Sequence, residues 1–560
     1  MLLVIAASKS MHQINPDAVA YLRTAHYYET GRFGLAINGY WGPLISWIMA
    51  PLLRFNENDL LVARLAMGFS AVIFLIGALQ LYRAIRLSLL ELTVAAVLTS
   101  LFSVPWSVSF ITPDLLMSGL LLLGLACSLA VRPDGSGTRP FGAGLLYGLA
   151  YLAKPVALPV SIGVILGLSA LRAASGAATW SAAKRSAALS LAGLALISLP
   201  WIVVLSVHYG APTFSTSGLI NHAIVGPTGA DRGHPTFRTH HVPESGRITS
   251  WEDPSGLPYE TWSPFSGPER LQHQVKLILK NTRTIVQTLR GFDWLGLGLV
   301  AAVAGFVFHY PWAVGLREQP WRLVAPTLVA ICGIYLPVYA ADGRYYLACY
   351  PLLLAASFGF FGDLARRAAL RRSVTMPSWV HASFRTAVLA LVLVSFSLEQ
   401  RFRADAARAF TTGFNDEGLL VARELADSLQ AEPAGAIASV GDRRRIALYT
   451  AFLTGRPYYG DRVDEPSPDE LVLSGARYIV VERGSALDAM LEEHPGAEPS
   501  APQSQNSGGD QRKWPVRLYR LLQQRRPARA PRALARFTLI AGPDKANRAH
   551  PCLVMRPVPG

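Results

Sequence analysis

The stretch NPDAVAYLRTAHYYETGRFGLAINGYWGP occupies Asn15 to Pro43 and follows a short apolar stub. It carries one acid near its start, Asp17, within an amphipathic helix pattern. A glycine-rich turn follows, and then a second amphipathic segment runs from Tyr40 to Arg54. Proline suits the first turn of a helix, and an acid is favoured at the same end, so Pro16 and Asp17 predict a helix start. The stretch is therefore interpreted as a polar loop that presents a carboxylate.

The composition around this loop is typical of a polytopic α-helical membrane protein. The chain has 560 residues, of which 51% are hydrophobic and 16% charged, whereas soluble domains have about 25% charged residues. Long apolar runs alternate with short basic clusters, as they do in multi-pass proteins. The net charge of +15 lies largely in those short loops. It therefore indicates membrane orientation rather than a nucleic-acid partner.

About eleven apolar segments are predicted between residues 1 and 398. A spanning helix needs about 20 residues, so the first run, Met1 to Ala7, is expected to be an incomplete span. The most basic loops, among them YRAIR at 82–86 and RRAALRR at 366–372, fall on one side of the predicted membrane. By the positive-inside rule that side is cytoplasmic.

The loops on the opposite side are expected to face outward from an inner or plasma membrane. They cover about residues 9–58, 107–114, 208–293 and 340–346. Residues 399–560 are expected on the same side, as a small extracytoplasmic α/β domain. There, residues 417–430 predict a helix, and GAIASV, ARYIVV, ARFTLIAG and CLVMRPV predict strands. A stretch at about 494–512 is rich in Pro, Ser, Gln and Gly, which predicts a disordered insertion.

Four ionisable residues on the outward side could carry chemistry. Asp17 is either a helix-capping acid or a general base. Asp114, in TPDLLM, is either a helix-start acid or a partner of Asp17 that orients an acceptor or holds a cation. Lys154 interrupts an apolar run, and Arg344 lies in DGRYY. Both could reach the membrane interface by snorkelling, or bind a phosphate on a lipid headgroup.

The long segment 208–293 is rich in aromatic, histidine and acidic residues, which suit a wall for binding sugars; an ordered structural loop is the alternative. Its histidine spacing matches no zinc pattern, and the four cysteines show no metal or disulfide pattern. We therefore predict no metal site, while a divalent cation stays open. The predicted wall residues, from all outward loops, are Tyr21, Tyr40, Trp41, His234, His240, Trp251, Glu252, Asp253 and Tyr345.

Taken in order, these motifs resemble the GT-C class of polyprenyl-phosphate-sugar-dependent glycosyltransferases. The resemblance is to the bacterial branch near protein O-mannosyltransferases and the lipid A aminoarabinose transferase. It covers about residues 1–400. The segments that carry it are NPDAVAYLRTAHYYETG with GYWGPLISWI, TPDLLM, GLLYGLAYLAKP and RYYLACYPLLL.

The resemblance implies a hexosyl- or pentosyltransferase that moves a sugar from a lipid-linked donor to a glycan, lipid or protein acceptor. Asp17 matches the first-loop catalytic acid, and Asp114 matches the second-loop acid. Lys154 and Arg344 match basic positions near the donor phosphate. Paired acids are common in the first loop of protein mannosyltransferases, whereas here Ala18 follows Asp17. The acceptor therefore stays open, and so does a rival interpretation as a transporter or flippase of an envelope precursor.

Overall fold

The computed structural model describes residues 1–130, 137–228, 234–309, 324–371, 386–394, 400–464, 466, 470–471, 474–492, 516–522 and 536–538. The chain forms two compact units, each assembled from separated segments. The first, here the helical unit, contains Met1–Met11, Ala25–Pro227 and Thr261–Phe414. The second, here the α/β unit, contains His12–Thr24, Thr228–Glu260 and Asn415–Gly560.

Most of the bounded helices up to residue 410 in the described part of the chain lie in the helical unit. They are α1 (Leu2–Lys9), α2 (Pro16–Glu29), α3 (Phe33–Ala36), α4 (Leu44–Leu53), α5 (Asp59–Ala84), α6 (Leu89–Ser109), α7 (Asp114–Leu129), α8 (Thr138–Ala153), α9 (Ala157–Ala174), α10 (Trp180–Tyr209), α11 (Ser217–Ala223), α12 (Pro268–His309), α13 (Val324–Gly333), α14 (Cys349–Arg371) and α15 (Gln400–Phe410). The first half of α2 belongs to the α/β unit. Within the described residues, α5, α6, α9 and α10 are long and apolar enough to cross a membrane, and α4, α7 and part of α14 are shorter apolar helices. The chain is thus a multi-pass helical protein, while the count of about eleven spans stays a prediction.

Glycines allow the long helices to approach one another closely. A Cβ on Gly77 of α5 would collide with the carbonyl oxygen of Gly119 on α7. In the same way, a Cβ on Gly144 of α8 would collide with the carbonyl of Ser190 on α10, and one on Gly193 with the carbonyl of Phe141. Small residues at such crossings let two backbones pack together in a membrane.

Helix α12 has two parts that meet at Asp293. The backbone there is extended, with φ −160° and ψ 97°, and the carboxylate Oδ1 accepts a hydrogen bond from the Gly296 amide at 3.1 Å. Asp293 therefore acts as the N-cap of the second part. The residues before it form a separate amphipathic helix.

In its described residues, the α/β unit contains a five-stranded sheet in the order β2-β1-β3-β4-β5. Its strands are β1 (Ile437–Val440), β2 (Tyr458–Arg462), β3 (Tyr478–Glu482), β4 (Val516–Leu522) and β5 (Arg536–Thr538). The first three pair in parallel, and β4 and β5 are antiparallel. The helices of this part of the chain are α16 (Glu417–Gln430), α17 (Ile446–Thr454) and α18 (Ala486–Glu492).

The segment Thr228–Glu260 pairs with the free edge of β2. The Tyr458 amide donates to the Ile248 carbonyl at 2.6 Å, and the His241 amide donates to the Tyr459 carbonyl at 2.6 Å. The imidazole of His240 lies 2.9 Å from the Ser439 carbonyl. An exposed strand edge is a site of unwanted pairing, and this segment covers it with backbone from elsewhere in the chain.

Several sequence predictions are confirmed by these elements. The helix predicted at 417–430 is α16, and GAIASV and ARYIVV contain β1 and β3. ARFTLIAG contains the short strand β5, whereas β2 and β4 were not predicted. The strand predicted in CLVMRPV and the insertion predicted at about 494–512 lie outside the described residues. The domain division at residue 398 stays a prediction.

The close contact of α8 with α10 predicts a specific effect of a single methyl group. We expect Gly144→Ala to lower the free energy of unfolding by about 1–3 kcal/mol, as overpacking does. The matched control is Gly142→Ala on the same helix, where a Cβ meets no atom within 4 Å. Both changes raise helix propensity equally, so melting temperatures in detergent isolate the packing effect. Equal melting temperatures for the two variants would contradict this account.

A buried acid pair makes the stability of the α/β unit depend on pH. Asp461 accepts from the Ser439 hydroxyl at 2.9 Å and from the Asp442 amide at 3.1 Å, and Asp442 accepts from the Ala447 amide at 2.7 Å. Burial, together with the charge of Asp461, raises the pKa of Asp442 from 3.8 to about 7. The folded unit therefore holds a proton that the unfolded chain releases above pH 3.8.

We expect the α/β unit to lose stability as the pH rises from about 4 to about 7, by at most about 1.4 kcal/mol per pH unit. The protonated form of Asp442 contributes fully below the unfolded pKa, and that contribution is lost as the pH passes the folded pKa. Hydrogen exchange of β1 and α17 amides, corrected for intrinsic exchange rates, measures it. Asp442→Asn should flatten the profile; an equal slope in that variant would exclude Asp442 as the cause.

Candidate functional site

In the helical unit, Lys154 and the buried Asp114 form a partly buried ion pair. The ammonium lies 2.5 Å from Asp114 Oδ1, and the two side chains are 21% and 2% exposed. Asp114 is the first residue of α7, where a helix favours negative charge. Lys154 follows the last residue of α8 in extended conformation, because Pro155 disfavours helical geometry in the preceding residue. This ion pair thus connects the end of α8 to the start of α7, two points that are 40 residues apart in the sequence.

A cluster of tyrosines surrounds this pair. The Lys154 ammonium lies 4.2 Å from the centroid of the Tyr345 ring, within the range of a cation–π contact. Tyr335 stacks on the same ring, with the two centroids 5.1 Å apart and the planes at 9°. Asp114 Oδ2 is buried and has no hydrogen-bond partner among the residues that the structure describes. Since a buried polar atom without a partner is costly, this carboxylate is held mainly by the lysine.

Arg344 also lies close to the ring of Tyr345. Its guanidinium carbon lies 5.7 Å from the Tyr345 centroid and 5.6 Å from the Phe110 centroid. Its Nε donates to Asp342 Oδ2 at 2.6 Å, and Asp342 also accepts from the Arg344 amide at 3.1 Å. The two cations predicted to bind phosphate are therefore brought together on one aromatic ring, each with a carboxylate partner.

The turn that contains Tyr40 and Trp41 packs against the end of α8. The Asn38 side-chain oxygen accepts from both of their amides, at 2.9 and 3.0 Å. A Cβ on Gly42 would collide with the carbonyl oxygen of Ala153, the residue before Lys154. Glycine is therefore required for this close approach of the turn to the residue that precedes the lysine.

Asp17 belongs to the α/β unit. It lies in the first turn of α2 and is 8% exposed. The residues before it are anchored to the start of α16. The Asp416 amide donates to the His12 carbonyl at 3.1 Å, the His12 amide donates to the Asn415 side chain at 3.2 Å, and Arg423 lies 2.9 Å from the His12 ring. These bonds fix where α2 begins.

The same helix is tied to the segment 228–260. The Arg23 Nε lies 3.9 Å from Glu252 Oε1. Glu252 is fully buried, and it accepts from the amides of Ile248 and Thr249 at 2.8 and 3.2 Å. Tyr21, on the same turn of α2, is buried as well. Of the predicted wall residues, Glu252 and Tyr21 are therefore buried side chains that belong to the α/β unit.

His234 and Trp251 pack against each other and stabilise the fold of the segment 228–260. Their rings meet edge to face at 4.5 Å, and His234 accepts from the Thr236 amide at 3.3 Å through Nδ1. The Tyr259 hydroxyl donates to the Pro254 carbonyl at 2.9 Å and lies 2.9 Å from His234 Nε2. Nε2 therefore carries the proton. Burial, followed by the charge of His241, lowers the pKa of His234 to about 3, so this imidazole is neutral at physiological pH.

The remaining predicted wall residues also have internal partners. Asp253 accepts from the Ser255 amide at 3.1 Å and lies 3.6 Å from Arg247. Burial lowers the pKa of His240. Nothing in these contacts tests a role in sugar binding, which stays a prediction. Within the described residues, no group of three or more His, Cys, Asp or Glu side chains could hold a metal ion.

Sequence reasoning missed Tyr335 and Asp342. Asp342 lies two residues before Arg344 in DGRYY, a spacing that lets an acid accept from the following amide in a turn. That local signal was available. Tyr335 gave no signal, because its stacking on Tyr345 depends on the path of the chain between them.

This chain is similar to known proteins in its structure. No family model matches this sequence, and no curated protein matches it. The oligosaccharyltransferase of Archaeoglobus fulgidus in its apo form is 12% identical, with a TM-score of 0.51 over 86% of this chain and 69% of that one. The same enzyme in complex with Zn and sulfate is 13% identical, with a TM-score of 0.51 over 86% and 68%.

ArnT from Cupriavidus metallidurans in the apo state is 15% identical, with a TM-score of 0.51 over 88% of this chain and 94% of that one. At such identities the likeness concerns the fold. It extends along nearly the whole of ArnT, which agrees with the resemblance identified from the sequence motifs. The chain therefore has the fold of the GT-C class of membrane glycosyltransferases.

Proposed function

We propose that this chain transfers a sugar from a polyprenyl-phosphate donor to a cell-envelope acceptor on the outer side of the membrane. The observation that carries the proposal is the pair of cations, Lys154 and Arg344, on one tyrosine of a GT-C fold. Such a pair suits the phosphate of a lipid-linked sugar, since arginine binds phosphate oxygens as a fork and lysine as a point charge. The sugar is a hexose or a pentose, and the acceptor is a glycan, a lipid or a protein.

The chemistry is a single displacement. The acceptor hydroxyl oxygen forms a bond to the anomeric carbon, and the bond from that carbon to the phosphate oxygen breaks. The electron pair leaves with the polyprenyl phosphate, and the configuration at the anomeric carbon inverts. The hydroxyl proton passes to the carboxylate of Asp17, which acts as the general base.

Lys154 and Arg344 stabilise the charge that develops on the leaving phosphate. In this scheme Asp114 is a positioning residue, because its carboxylate accepts from the lysine ammonium. A divalent cation could assist the leaving phosphate. The related archaeal oligosaccharyltransferase has been seen in complex with Zn and sulfate, whereas the described residues here contain no metal cluster.

The base assigned here is tested with Asp17→Asn in a deletion strain. We expect sugar transfer to fall by about 10²–10⁴-fold, the usual contribution of a general base. Mass spectrometry of envelope glycans, comparing the deletion strain with strains carrying each variant, measures transfer and identifies the sugar and acceptor. The control is Glu57→Gln, which also neutralises an acid but at an exposed position of the helical unit, and which should retain activity within a few-fold.

If folded Asp17→Asn protein transfers sugar at nearly the wild-type rate, the general-base assignment is wrong. A chain that moves a precursor across the membrane without any change in its covalent linkage would instead be a transporter or flippase.

The contribution of the ion pair to stability and its contribution to activity can be measured separately. Lys154→Met alone leaves the Asp114 carboxylate buried without its cation, so we expect a loss of about 3–5 kcal/mol in stability together with a loss of activity. Lys154→Met with Asp114→Leu removes both charges and should restore the melting temperature but not the activity. If the double variant transfers sugar normally, Lys154 does not bind the donor phosphate.

A further inference from the structure

The first part of α12, residues 268–292, presents an inner face that is fixed by polar contacts. Asn281 is buried, and its side-chain nitrogen lies 2.9 Å from the Leu336 carbonyl and 2.5 Å from the Val338 carbonyl. Gln274, seven residues earlier, lies 3.1 Å from the His222 ring. Ile285 continues the same buried face. The orientation of the helix about its axis is therefore defined.

The exposed part of this helix carries an apolar stripe. Leu271, Val275, Leu279 and Val286 are 49%, 48%, 58% and 47% exposed. At about 100° per residue these four side chains share one side of the helix. Exposed apolar side chains in a continuous row mark a surface that is covered by something other than water.

A basic stripe runs beside the apolar one, about a quarter turn away. It consists of Lys276, Lys280, Arg283 and Arg290, all exposed. Residues 268–292 contain five basic residues and one acid, Glu269. This stripe therefore presents a strong positive charge.

We propose that this helix, residues 268–292, docks on acidic phospholipid headgroups at the membrane interface. Its apolar stripe enters the acyl-chain boundary, and its basic stripe binds the phosphates. A row of lysines and arginines would be costly within the hydrocarbon, and a row of exposed leucines and valines is unfavourable in water. A helix with both rows side by side fits the boundary between the two phases.

The end of the helix agrees with this placement. Trp294 follows the kink and is 41% exposed, and tryptophan is enriched at membrane–water interfaces. Beyond it, the second part of α12 is apolar in sequence. The kink at Asp293 is thus the point where an interfacial helix turns into an apolar one.

Lipid bound here would also brace the predicted donor site. Asn281 contacts the carbonyls of residues that lead from Tyr335 towards Arg344 and Tyr345. Lipid binding by the exposed stripes does not depend on the proposed sugar transfer, however, because the stripes lie on the side of the helix away from Asn281.

The test is native mass spectrometry of the purified full-length protein, released from detergent that contains equal amounts of phosphatidylglycerol and phosphatidylcholine with identical acyl chains. Wild-type protein should retain more phosphatidylglycerol than phosphatidylcholine. Lys276→Gln with Lys280→Gln should lower the ratio of the two retained lipids at least threefold. The charge-matched control is Arg443→Gln with Arg444→Gln, two exposed bases in the α/β unit, which should keep the ratio.

An unchanged ratio in the α12 variant, or an equal fall in both variants, would overturn the proposal. So would a dimer mass in the wild type that disappears in the α12 variant while the lipid ratio stays constant, because a second copy of the chain would then be the occupant. Equal melting temperatures of all three proteins confirm that the changes act on binding and not on folding.

Discussion

The ion pair between Lys154 and Asp114 is the constraint on which the helical unit's predicted donor site depends. Each charge would be very costly alone in a protein interior. The local sequence determines where α8 ends and where α7 begins, and these two helix ends place the lysine and the aspartate. Pro155 ends α8 at the residue where the lysine is needed, and Asp114 begins α7 where a helix favours a carboxylate. The pair then orients the ammonium over Tyr345, the ring that Arg344 also reaches.

Part of this arrangement could be predicted from local sequence. The start of α2 at Pro16, the bounds of α16 and the strands β1 and β3 follow from proline chemistry and hydrophobic periodicity. Asp114 and Lys154 were identified singly, as acids and bases at the ends of apolar runs. Their pairing could not be predicted, because 40 residues separate them and single-sequence patterns do not say which helix ends meet.

Other features were missed for physical reasons. The strand β2, YYGDR, is short and contains a glycine and two charged residues, so it gives a weak strand signal; in the structure it is stabilised by backbone pairing with β1 and with the segment around Ile248. The prediction that residues of that segment form a sugar-binding wall rests on composition alone. Aromatic and acidic side chains serve equally well to close a loop on itself, as His234, Trp251 and Glu252 do, and composition does not separate the two uses.

The α/β unit also changes how the position of Asp17 is understood. From the sequence, this acid belongs to a loop near the N-terminus, and the C-terminal sheet is a separate domain. In the structure, the residues before Asp17 are hydrogen-bonded to Asn415 and Asp416, and Arg23 on the same helix faces Glu252. Three segments that are hundreds of residues apart therefore fix one turn of helix. A general base must lie within a few tenths of an ångström of its working position. The α/β unit therefore sets the position of Asp17, the residue we propose as the general base, through the contacts that hold the start of α2.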